Sequence, residues 1–118
     1  MSTVAELLRV NLHDVFGNRD AAQRRAAAAQ AFSPDVAFTD PEGAVVGIEA
    51  LLAKAADLLG GAPAEFAFVE DGPAYVSATT GAQPWAFGPV GAPVVRGIDI
   101  IAVEDGVITA LTTVLAEA

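Results

Sequence analysis

The chain has 118 residues, 53% hydrophobic and 18% charged, which is the size of one domain able to bury a core without disulfide support. Fifteen acidic against six basic side chains give a net charge of −9, a field that repels nucleic acid and anionic lipid surfaces and suits neutral, apolar small molecules. There is no cysteine, a single histidine, and no calcium-loop or His-x-x-x-His spacing, so no metal and no other cofactor is expected.

No apolar run reaches membrane length, and Met1 to Val10 lacks the basic-then-apolar pattern of a targeting segment, so the chain reads as cytoplasmic with no membrane partner. Thr3 with Glu6 forms a capping box, and Val4, Leu7, Leu8, Leu12, Val15 and Phe16 recur at helical spacing up to Gly17. Asp20 with Gln23 opens a second, alanine-rich helix that runs to Phe32 and stops at Ser33-Pro34. Val36 and Phe38, then Ala44 to Val46, flank the turn Asp40-Pro41-Glu42-Gly43 as a short hairpin. Gly47 to Leu59 returns to helical spacing and ends at Gly60-Gly61.

Four strands are predicted beyond it: Glu65 to Glu70, Tyr75 to Thr80, Val94 to Val103 and Val107 to Leu115. Gly81 to Pro93, rich in glycine and proline, reads as an irregular loop. Nothing divides the chain, so residues 1–118 form a single domain. Its class is α+β: a cone-shaped roll with three helices packed on one face of a curved, mostly antiparallel sheet. The strand Val94 to Val103 is apolar on both alternating faces, which predicts a homodimer through the outer face of the sheet.

Two aspartates stand out. Asp40 precedes Pro41, which forces extended backbone and sets the carboxylate at a strand end, where it serves either as a proton acceptor or as a cap of the Glu42-Gly43 turn. Asp99 lies between Ile98 and Ile100, where a charge is costly unless it is paired, for example with Arg96, or protonated. Trp85 and Phe87 either wall a ligand or pack on a core or partner.

The run from Phe32 through Asp40-Pro41-Glu42-Gly43, set between two helices and a third, resembles the nuclear transport factor 2-like superfamily, above all its ketosteroid isomerase and SnoaL-like cyclase branches. In ketosteroid isomerases an Asp-Pro-x-Gly segment holds the general base, which the resemblance places at Asp40. A second aspartate following an isoleucine on a later strand corresponds to Asp99, which as a neutral acid donates a hydrogen bond to a developing enolate oxygen. The first-helix tyrosine of those enzymes has no counterpart, because Leu12 or His13 occupies the position reached by counting back from the second helix.

The candidate catalytic residues are thus Asp40 and Asp99, and the candidate substrate-binding residues Leu12, His13, Phe16, Phe38, Tyr75, Trp85 and Phe87. The resemblance implies an acid/base isomerase of a small apolar carbonyl compound. The alternatives are a SnoaL-like polyketide cyclase or epoxide-opening enzyme, and a non-catalytic ligand-binding or dimerisation module.

Overall fold

The computed structural model describes residues 2–117. The capping box forms as predicted: Thr3 accepts from the Glu6 backbone N–H at 3.1 Å, and the Glu6 carboxylate accepts from Thr3 N–H at 3.0 Å. Helix α1, Val4–Arg9, runs without a break into a π-helical segment, Val10–Phe16. Asp20 caps α2, Ala21–Ala31, whose small side chains Ala28 and Ala31 let it pack closely on the core. Gly47, at a φ of 101°, turns the chain into α3, Ile48–Gly60, which buries Leu51, Leu52, Ala55 and Leu59.

The strands are β1 (Phe32–Asp40), β2 (Gly43–Val46), β3 (Ala67–Glu70), β4 (Tyr75–Val76), β5 (Thr80–Gly88), β6 (Val95–Glu104) and β7 (Val107–Leu115). They form one sheet in the order β2-β1-β7-β6-β5-β3, with β4 also on β5. Among the described residues only the β1–β7 pair is parallel, and every other pair is antiparallel. The inner face packs against the helices through Phe32, Val36, Ile101, Ile108 and Leu111, all nearly inaccessible. The predicted succession of elements and the α+β roll are both present. Among the described residues no helix is long and apolar enough to cross a membrane.

One segment differs from the sequence reading. Gly81 to Gly88 is not a loop but most of β5, a central strand, whereas the strand predicted over Tyr75 to Thr80 shortens to Tyr75–Val76. The glycine and proline that suggested a loop have other reasons to be there. A Cβ on Gly81 would lie 2.5 Å from Val4 Cγ1, so its absence lets the first helix approach the sheet. Pro84 C=O accepts from Asp71 N–H at 2.9 Å, so the edge on which its own N–H is missing faces the turn beyond β3 and not the ladder with β6.

The outer face keeps the apolar character seen in the sequence. Ile98 pairs with Val114 and Ile100 with Thr112 across β6 and β7, and Ile98, Ile100 and Val114 are 38%, 38% and 44% exposed.

Candidate active site

A cavity of about 500 Å³ opens between the helices and the inner face of the sheet, within the range of small-molecule sites. Its walls are largely aromatic: Phe16, Phe38, Phe68, Trp85 and Phe87. Phe68 meets Trp85 edge-on at 5.2 Å and Phe87 at 4.3 Å between ring centroids, which fixes one side of the wall. Gly97 lies opposite Trp85 on β6, and a Cβ there would come within 2.6 Å of the indole ring, so this glycine makes room for the Trp85 side chain.

Asp40 ends β1 and lines the cavity beside Pro41, Glu42, Lys54 and Asp57. Its Oδ1 accepts from Glu42 N–H at 2.9 Å, the turn cap that its sequence allowed, and its Oδ2 lies 3.3 Å from Lys54 Nζ. Lys54, on α3, also donates to Glu42 Oε1 at 2.9 Å. The hydrogen bond to Glu42 above all holds the Lys54 ammonium above its ordinary pKa; burial opposes that rise, and the bond and charge of Asp40 and the charge of Glu42 add to it. Asp40 is therefore an ion-paired carboxylate with both oxygens held.

Asp99 has the opposite surroundings. It is 5% exposed and receives three hydrogen bonds: Asn11 Nδ2 to Oδ2 at 2.8 Å, and Trp85 Nε1 at 3.0 Å and Thr113 Oγ1 at 2.8 Å to Oδ1. Burial raises its pKa above the usual aspartate value, and the bonds from Thr113, Trp85 and Asn11 oppose that rise. Burial prevails because all three donors are neutral, so none supplies the charge that would offset desolvation of an anion. Arg96 does not do so, since it turns to Asp71 at 3.6 Å on the outer side.

The sheet brings the two carboxyls into one row. Asp99 pairs with Thr113 across β6 and β7, and Asp40 lies one residue past the Thr39–Thr112 pair across β1 and β7. Two strand spacings place their backbones about 10 Å apart with Thr113 between them. Among the described residues no group of three or more His, Cys, Asp or Glu side chains is arranged to hold a metal ion.

Of the residues singled out from sequence, Asp40, Asp99, Phe16, Phe38, Trp85 and Phe87 converge on this cavity. Three do not. Leu12 is 1% exposed inside the core and does not line the cavity, because its side of the helix faces the packed interior. His13 turns outward, where Nε2 lies 3.2 Å from Glu70 Oε1 with the imidazole 43% exposed. Tyr75 is 66% exposed on β4, which pairs only with the beginning of β5 and stops short of the cavity wall.

Lys54, Phe68, Thr113 and Asn11 were not recognised in the sequence. Asn11 left a signal: four residues after Leu7 and four before Val15, it is a polar residue in the middle of an apolar helical stripe.

The SnoaL-like domain sequence pattern matches residues 10–111. The chain belongs to the SnoaL-like domain family. This SnoaL-like chain superimposes on a proposed isomerase of the SnoaL-like family from Agrobacterium tumefaciens with a TM-score of 0.87 at 20% identity, covering 99% of this chain and 100% of that one. A proposed SnoaL-like polyketide cyclase from Jannaschia sp. gives 0.74 at 18% identity, over 92% and 81% of the two chains. A proposed ketosteroid isomerase from Kribbella flavida gives 0.71 at 18% identity, over 95% and 76%. At these identities the likeness is one of fold. No curated protein matches the chain by sequence.

Proposed function

We propose that this SnoaL-like protein is a cofactor-independent acid/base isomerase of a neutral, apolar carbonyl compound. Asp40 takes a proton from the carbon next to the carbonyl, and neutral Asp99 donates a hydrogen bond to the oxygen on which the enolate charge develops. Asp40 then returns the proton to another carbon of the conjugated system, which moves the double bond and regenerates the carboxylate.

The observation that carries this reading is the contrast between two carboxyls in one apolar cavity. Asp40 is paired with Lys54, while Asp99 is buried among neutral donors. Environments that separate the protonation states of two acids assign base and acid between them. The test is turnover of β,γ-unsaturated ketones, 3-oxo-Δ5 steroids included, by wild type, Asp40→Asn and Asp99→Leu. Turnover that falls by orders of magnitude in Asp40→Asn and substantially in Asp99→Leu supports the proposal, and turnover indifferent to both substitutions refutes it.

A second reading, cyclisation of a planar polyketide-type substrate by the same two acids, is favoured by the five aromatic rings along the wall, which suit a flat polycyclic ligand. The proposal extends to assembly. The outer face of the sheet, with Ile98, Ile100 and Val114 partly exposed, is the contact surface of a homodimer.

A further inference from the structure

We infer that Asn11 is a positioning residue that directs the Asp99 proton into the cavity by presenting a donor, and no acceptor, to Asp99 Oδ2. The inference rests on the reading of Asp99 as a neutral acid. Trp85 Nε1–H can only donate, so Asp99 Oδ1, 3.0 Å away, must accept. Thr113 Oγ1 donates to the same oxygen at 2.8 Å. A neutral Asp99 therefore carries its proton on Oδ2.

Beside Oδ2 lies the Asn11 amide, its Nδ2 at 2.8 Å. An N–H cannot accept a proton, so the direction left for the Oδ2–H is the cavity that Asp99 lines. Donation from Asn11 into Oδ2 also polarises that O–H and makes it a stronger donor to a ligand. An acceptor in the place of Asn11 would capture the proton and leave a ligand facing a bare oxygen.

The position of Asn11 argues against a packing role. It is fully buried within the π-helical segment, and its Oδ1 has no hydrogen-bond partner. A leucine would fill an apolar stripe without that cost. The charged groups sharing the cavity are Asp40, Glu42, Lys54 and Asp57, and none of them hydrogen-bonds Asp99.

The experiment is binding of 2-naphthol, a planar phenol that accepts through its oxygen, to wild type, Asp99→Leu, Asn11→Asp and Asn11→Leu, each checked for folding by circular dichroism. Asp99→Leu is expected to weaken binding by about tenfold or more. Asn11→Asp is expected to match it at neutral pH, because the two carboxyls share one proton between them, and to recover on acidification as the introduced carboxyl takes its own. Asn11→Leu removes the donor that polarises the Oδ2–H without adding an acceptor and is expected to weaken binding by about threefold or more, less than Asp99→Leu. A packing role would lower the melting temperature of both Asn11 variants and leave the affinity of the folded protein unmoved.

Wild-type affinity in Asn11→Asp, beside weakened binding in Asp99→Leu, overturns the inference and leaves the reading of Asp99 intact. Wild-type affinity in Asp99→Leu overturns that reading itself. If Asn11→Asp does not fold, Asn11→Leu decides: affinity weakened by about threefold or more supports the inference, and wild-type affinity overturns it.

Discussion

Replacing Asp99 with asparagine should change how folding stability depends on pH, with a sign fixed by the surroundings of the carboxyl. Asparagine keeps an oxygen for Trp85 and Thr113, and its neutral amide nitrogen takes the place of the protonated oxygen. It thus imitates the neutral acid and removes the titration. In wild type, burial raises the folded pKa of Asp99 above its unfolded value of about 4.

A carboxyl with a raised folded pKa favours the folded state fully below the unfolded value, and that contribution is lost as pH rises toward the folded value. Between those limits wild type should lose stability relative to Asp99→Asn at a slope approaching 1.4 kcal/mol per pH unit, the worth of one proton (about 2.3RT). Urea unfolding of both proteins from pH 4 to 8 measures this, and the difference between them cancels every other acidic group they share. A difference that is flat from pH 4, or that moves in favour of wild type as pH rises, would show Asp99 to be ionised in the folded protein and refute the reasoning.

Gly97→Ala puts a Cβ 2.6 Å from both the Trp85 indole and the Val114 carbonyl oxygen, so it should push the indole off its bond to Asp99 and strain the β6–β7 pairing. A loss of about 1–3 kcal/mol in urea unfolding and a shifted emission of the single tryptophan are expected. Lys54→Met removes the cation beside Asp40 from a partly exposed pair and should leave the urea midpoint unchanged while lowering turnover. Ile98→Lys with Ile100→Lys should convert a dimer to a folded monomer by sedimentation, and a wild type that sediments as a monomer at high concentration would refute the assembly proposal.

Much of this was legible in the sequence because local rules and tertiary packing agree. Thr3, Asp20 and Gly47 mark helix starts with caps or a turn, and the Asp105-Gly106 hairpin has both residues at positive φ, 52° and 78°, as such a turn demands. Asp40 and Asp99 were visible for the same reason: one is fixed by Pro41, and the other is anomalous among isoleucines. β5 was obscured because Gly81 admits the first helix and Pro84 turns its missing N–H away from the β6 ladder, tertiary causes that look like loop composition. Lys54 and Thr113 are ordinary residues until α3 and β7 fold against Asp40 and Asp99.

The most direct measurement of the central claim is exchange of the α-hydrogens of a bound cyclic ketone for deuterium, followed by NMR in D2O, because it reports proton removal whatever rearrangement follows. Wild type is predicted to catalyse exchange, and Asp40→Asn, equally stable and still binding the ketone, to lose it. Equal exchange in the two proteins, or none in wild type with the ketone demonstrably bound, would contradict Asp40 as the base.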